Sequence, residues 1–172
     1  MNRTTILLSL TLVASALPAA AQEPVKEPPP AIKTMIARMA GTWTAKDVSV
    51  TAGGKAMKAQ GRVTCGRIAG GGLSCHVQAT MPGMKEEETN LLGWDPQSGK
   101  VHLFAVNAKY THDHVGTLDG EVLSLAYSGT RDGKPWEEAL TFTFKGDKEL
   151  VWKDTCTSGG QVVFAGEGTY RK

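Results

Sequence analysis

The chain has 172 residues, 41% of them hydrophobic, and 19 basic side chains against 17 acidic ones. So even a balance excludes a nucleic-acid partner held by phosphate neutralisation, and it offers no polybasic surface to anionic lipid. The length suits one domain with one core, and the three cysteines leave one thiol over after any single internal bridge.

Met1-Asn2-Arg3 makes the N-terminus positive, Ile6 to Leu17 is an almost unbroken apolar run, and Ala19-Ala20-Ala21 supplies small residues before Gln22. This order predicts a cleavable secretory signal over residues 1–21, and hence a periplasmic or secreted protein. The apolar run falls short of the roughly 20 residues of a membrane span, so no transmembrane anchor is expected after cleavage. Residues 22–30 carry Pro24 and Pro28-Pro29-Pro30 and read as an extended tether. Ile32, Met35, Ile36 and Met39 then recur at helical spacing. They predict a short helix over residues 31–40 whose apolar stripe docks on the rest of a domain spanning 31–172.

Beyond Gly41, turn signals such as Gly53-Gly54, Pro82-Gly83, Asp119-Gly120, Asp132-Gly133 and Gly159-Gly160 separate runs of alternating polarity. Leu140, Phe142 and Phe144 share one face, with Thr141, Thr143 and Lys145 on the other. The pattern predicts strands at 42–51, 56–68, 73–80, 85–94, 100–108, 113–119, 121–130, 135–145, 149–157 and 161–171. Short turns force up-and-down neighbours, and closing the sheet removes its edges. The expected fold is therefore all-β: a single up-and-down antiparallel β-barrel of about ten strands with a short N-terminal helix. A two-sheet sandwich is the alternative.

Several residues along this chain stand out chemically. Cys65 and Cys75 sit five residues either side of Gly70 and face each other if the hairpin turns there, which predicts a disulfide. Cys156 paired with one of them is the alternative, and a nucleophilic Cys156 lacks any local base. Glu86-Glu87-Glu88 reads as a solvated acidic run. His112 and His114 lie on one face of a strand but make only two of the three or four ligands a zinc site needs. His102 or His76 would have to complete it, so the pair is read as part of a polar loop at a barrel mouth and no metal is expected. Trp136, Leu140, Phe142, Phe144, Trp152, Phe164 and Tyr170, with Leu103 and Tyr127, make an aromatic-rich inner face. Glu138 shares a face with Trp136 and Phe142, and Asp154 with Trp152 and Cys156. A carboxylate on an apolar face is paired, protonated or close to water. Here strand ends in water are the first expectation, and contact with a ligand's polar group is the second.

Gly41-Thr42-Trp43 follows the helix and opens the first strand, and Gly93-Trp94-Asp95-Pro96 ends the fourth. The G-x-W opening resembles that of the lipocalin and calycin superfamily. Together with the strand–turn rhythm, residues 36–171 resemble a family of small exported bacterial lipocalin-like domains of uncharacterised function. The resemblance implies a barrel and an internal cavity rather than an activity. Haem-binding nitrobindin-type barrels carry a longer G-x-W-x-G-x-G opening. Thr44-Ala45-Lys46 breaks that motif here, and no cofactor is expected.

These features point to an exported β-barrel that binds a small lipophilic ligand, with Trp136, Glu138, Phe142, Trp152, Asp154 and Tyr127 as candidate contacts. No catalytic residue is assigned. An envelope protein-interaction or inhibitor-type barrel is the alternative, followed by an enzyme built on Glu138 and Asp154 or on the histidines.

Overall fold

The computed structural model describes residues 26–172. The expected signal over residues 1–21 and the start of the tether lie outside the described residues. Helix α1 (Pro30–Met39) opens on a proline, whose missing N–H costs nothing at a helix start. Ten strands follow: β1 (Gly41–Ala52), β2 (Lys55–Arg67), β3 (Leu73–Met81), β4 (Met84–Trp94), β5 (Val101–Val106), β6 (Thr111–Asp119), β7 (Val122–Arg131), β8 (Lys134–Phe144), β9 (Glu149–Ser158) and β10 (Gln161–Arg171). Each pairs antiparallel with the next, and β1 pairs with β10, so the sheet is a closed barrel and not a sandwich.

Period-two burial defines the inner face of every strand. In β1 it selects Trp43, Ala45, Val48 and Val50, with an irregularity between Ala45 and Val48 that restores the inward phase. The odd strands start beside α1, so the barrel has a helix-capped end and an opposite, open end. Near the cap, Trp43, Leu73, Leu92, Leu123, Phe144 and Leu150 are buried, and α1 sinks Ile32, Met35, Ile36 and Met39 onto them. The cap is also tied polar-wise. Trp43 Nε1 donates to the Met39 carbonyl at 2.9 Å, Arg38 reaches Glu121 and Asp147 on two neighbouring turns, and Lys172 donates to the Arg38 carbonyl. Gly41 holds φ at +115°, a left-handed value that lets the chain swing from helix into strand immediately before Trp43.

Cys65 and Cys75 face each other in the β2–β3 register with their Cα atoms 4.0 Å apart, and they form a disulfide on the inner face. Arg67 pairs with Leu73 in the same register, so the hairpin turns where the sequence placed it. Cys156 is a free, buried thiol. At Gly61 an added Cβ would sit 2.1 Å from Tyr170 Oη, so that ring crosses the barrel interior over bare backbone.

Candidate functional site

Moving from the cap toward the open end, the inner face changes character. The inward positions of β4 that border the cavity are Glu86, Glu88, Asn90 and Leu92, so only the one nearest the cap is apolar. On β6, alternation turns His112 and His114 inward, and they are 5% and 1% exposed. This corrects the polar-loop reading: the strand starts at Thr111, two residues earlier than its predicted start, and takes both imidazoles into the core. Glu138 on β8 lies opposite Tyr127 of β7 and Cys156 of β9. Asp154 comes two residues before Cys156 on the same face. Neither carboxylate sits in water at a strand end; both line an internal cavity of about 210 Å³.

The centre of this polar wall is tight. Glu138 Oε2 lies 3.0 Å from His112 Nδ1, and its Oε1 lies 3.1 Å from His114 Nε2. The second contact is close but not aligned for a hydrogen bond, and His114 Nε2 is buried without a partner. The ring's other nitrogen, Nδ1, faces the Leu103 carbonyl at 3.3 Å. Tyr110 and Tyr127 stack on either side of His112, with ring centroids 4.4 and 4.0 Å away. Tyr110 Oη donates to Glu88 at 2.7 Å, and the Arg131 guanidinium lies 4.6 Å from the Trp136 ring. Asn90 Oδ1 and Trp136 Nε1 are also buried without partners.

The electrostatics follow from burial set against these neighbours. Burial pushes the Glu138 carboxyl up, but the contacts and charges of His114 and then His112 outweigh it and hold the group below its usual range. Burial pushes His114 down, while Glu138 and the Leu103 carbonyl outweigh it and raise the imidazole. Asp154 has no such partner. Burial, reinforced by the nearby Glu138 charge, pushes it up to about 8. Burial beside Asp154 raises the Cys156 thiol, so it is not a ready thiolate nucleophile.

Opposite the polar wall, Val48, Val50, Ala59, Val77, Met81 and Phe164 form an apolar one. Of the residues singled out in sequence, Glu138, Asp154, Phe142 and Trp152 line this cavity, together with Leu103, Leu140, Phe164 and Tyr170. Tyr127 reaches the site by stacking on His112, and Trp136 by its contact with Arg131. Phe144 belongs instead to the buried packing at the capped end. His102 and His76 do not approach. His102 Nδ1 lies 3.1 Å from Asp113 on the outer surface, and His76 is exposed. Glu138 supplies the third donor that the histidine pair lacked. Sequence reasoning missed Glu86, Glu88, Asn90, Tyr110 and Arg131. Period-two spacing from Leu92 backward along β4 carried the signal for the first three. The triple glutamate is split, with Glu86 and Glu88 on the cavity and Glu87 exposed.

The arrangement can grip a polar group between hydrogen-bonding side chains while an apolar body lies on the opposite wall. It also has a protonated carboxyl at Asp154 beside a charged Glu138 at neutral pH.

A family model described as "Protein of unknown function (DUF1579)" matches residues 28–172. No curated protein matches the chain. Among solved structures, the S-type phycobiliprotein lyase CPES from Guillardia theta is similar over 82% of this chain and 92% of its own, with TM-score 0.56 and 12% identity. Rv2717c from M. tuberculosis is similar over 85% of this chain and 99% of its own, with TM-score 0.58 and 17% identity. At such identities the likeness is one of fold.

Proposed function

The chain belongs to the family described as "Protein of unknown function (DUF1579)", a name that brings no activity with it, and from the site we propose an exported barrel that binds a small, mostly apolar molecule carrying one polar group. The observation that carries this reading is a single cavity with an apolar wall on one side and two buried, unpartnered polar atoms, Asn90 Oδ1 and His114 Nε2, on the other. An unpaired buried polar atom costs about 1–3 kcal/mol, which a ligand's polar group offsets. The cavity, about 210 Å³, is smaller than the roughly 300–1,000 Å³ of drug-sized pockets, which favours a small ligand. A neighbour named as a phycobiliprotein lyase supports the use of this barrel shape to handle a ligand. Export is supported by the charged, apolar and small-residue order of residues 1–21 and by the Cys65–Cys75 bridge, since such bonds form in oxidising compartments.

Native mass spectrometry of protein purified from its own host tests the binding. The expected result is a discrete adduct that is released on unfolding. A bare polypeptide mass, together with failure to take up apolar fluorescent probes, counts against the reading. Intact mass of the exported form tests the processing. A chain beginning near Gln22 is expected, and retention of residues 1–21 counts against export.

One observation favours a protein-interaction role as a second reading. Leu91, Phe104, Val106 and Val115 lie exposed on the outer face of the adjacent strands β4, β5 and β6. Leu91 and Phe104 are direct cross-strand partners, and the His102–Asp113 pair sits among these apolar side chains, the mix of apolar and polar groups that a contact surface carries. Sedimentation that stays monomeric, with no change on Phe104→Ser, argues against it.

A further inference from the structure

We propose that His112, His114 and Glu138 form a site inside the barrel for one divalent transition-metal ion of the zinc class, with a coordination position open to the cavity. Each of the three residues offers a donor atom within 4.8 Å of the other two, and the nitrogens that face the carboxylate are His112 Nδ1 and His114 Nε2. Around a four-coordinate ion with bonds of roughly 2.0–2.1 Å, neighbouring donors stand about 3.3 Å apart. His112 Nδ1 lies 3.0 Å from Glu138 Oε2 and His114 Nε2 lies 3.1 Å from Oε1, so each imidazole stands about one such edge from an oxygen of the same carboxylate.

His114 supplies an independent pointer. Its Nδ1 faces the Leu103 carbonyl at 3.3 Å, and its Nε2 meets the Glu138 carboxylate at 3.1 Å, out of line for a hydrogen bond, on a ring that is 1% exposed. A buried ring nitrogen aimed at a carboxylate with no aligned bond between them is a position where a metal ion gains both donors. Metal-ligating histidines usually have the far ring nitrogen tied to a carbonyl or carboxylate, which fixes the ring's orientation, and the Leu103 carbonyl does this for His114. The rings are also held in place. His112 is clamped between Tyr110 and Tyr127, so the donors are oriented before any ion arrives.

Two imidazoles and one carboxylate suit zinc, iron(II) or cobalt(II) rather than calcium or magnesium, which prefer all-oxygen shells. Three protein ligands leave a fourth position, and Glu138, His114 and Asp154 all border the cavity. Water or the polar group of a cavity ligand would fill that position, with Asp154 near enough to exchange a hydrogen bond with it. Cys156 belongs to a second donor group, with Glu138 and Asp154, that does not include the histidines. This proposal does not depend on the binding of an organic molecule.

Chelator-treated mature protein, titrated with Co²⁺ and separately with Zn²⁺ and followed by calorimetry and absorption, provides the test. One equivalent is expected to bind, with visible cobalt bands of a low-symmetry nitrogen–oxygen site and no thiolate charge-transfer band. His114→Ala and Glu138→Gln should each weaken binding by at least about tenfold, while His76→Ala on the outer surface leaves it unchanged. Circular dichroism of each variant checks folding. Where His114→Ala does not fold, Glu138→Gln, which keeps the side-chain shape, decides. The proposal is overturned by no stoichiometric uptake, by equal uptake in wild type and Glu138→Gln, or by a thiolate band that moves the site to Cys156. An adduct in native mass spectrometry without metal uptake sinks this inference and leaves the ligand reading standing. Metal uptake with no organic adduct does the reverse.

Discussion

At the capped end of the barrel, the inward positions hold Trp43, Leu73, Leu92, Leu123, Phe144 and Leu150. Further along the same tube, inward positions hold Glu88, His112, His114, Glu138 and Asp154. Backbone geometry does not distinguish the two regions, since both are antiparallel ladder with alternating faces. What differs is whether burial is compensated by contact alone or by polar pairing. Below, apolar side chains pack against one another and the helix, and Trp43, Leu92 and Leu150 also form the apolar floor of the cavity. Above, a belt of partly paired polar groups sits around a cavity and leaves buried atoms without partners. Such unsatisfied groups cost stability that apolar burial elsewhere must offset, and they are where a ligand or ion gains affinity.

That contrast can be broken most directly at the plug. Trp43→Ala removes a buried indole and its bond to the Met39 carbonyl, and should cost about 3–5 kcal/mol in urea unfolding. A cost below about 1 kcal/mol would mean that the cap is not what holds the barrel. Next in size is the bridge that closes the β2–β3 hairpin. Replacing both Cys65 and Cys75 by Ala should cost about 2.5–3 kcal/mol on the chain-entropy account of a short loop. Peptide mapping without reduction should show a Cys65–Cys75 link, with Cys156 alkylated only after unfolding.

A pH measurement sharpens the comparison at Tyr170, which lies across Gly61 in the packed part of the lining. Burial pushes its phenol from 10.0 to about 12. The folded state therefore holds the proton more tightly than the unfolded chain, and stability from this group is intact below pH 10. It is lost as the pH climbs from 10 toward 12, by up to about 2 kcal/mol. Tyr170→Phe should show a shallower alkaline decline than wild type; an identical decline would place the phenol in water.

The smallest change tests the open half. Asn90→Leu replaces an unpartnered buried oxygen with apolar surface, so stability should shift by less than about 1 kcal/mol, in the favourable direction. Ligand retention in native mass spectrometry should nevertheless fall. Marked destabilisation would show that Asn90 is structural, and the two halves would no longer differ in role.

How far the site could be read in advance depends on the residue. Alternation placed Glu138 with Phe142 and Asp154 with Trp152, and these four do share the cavity wall. The same rule applied to Glu86-Glu87-Glu88 by itself says only that the outer two share a face, and their phase with Leu92 is what turns that face inward. A run of three acids looks solvated, and the histidines looked like loop, because polarity is the usual guide to which face meets water. Here that guide fails wherever the polar groups face a cavity.

Ten strands, their boundaries to within a few residues, the apolar stripe of α1 and the Cys65–Cys75 register all follow from local order in the sequence. Each depends on period-two or helical spacing and on turn residues a few positions apart. Only the tertiary structure decided that β1 closes on β10, and closure determines which face of every strand becomes the interior. The β6–β7–β8 ladders set His112 and His114 and Glu138 on either side of Tyr127, and closure turns that shared face inward. Their contact and burial, and the opposed shifts of His114 and Glu138, come from distances through the barrel interior.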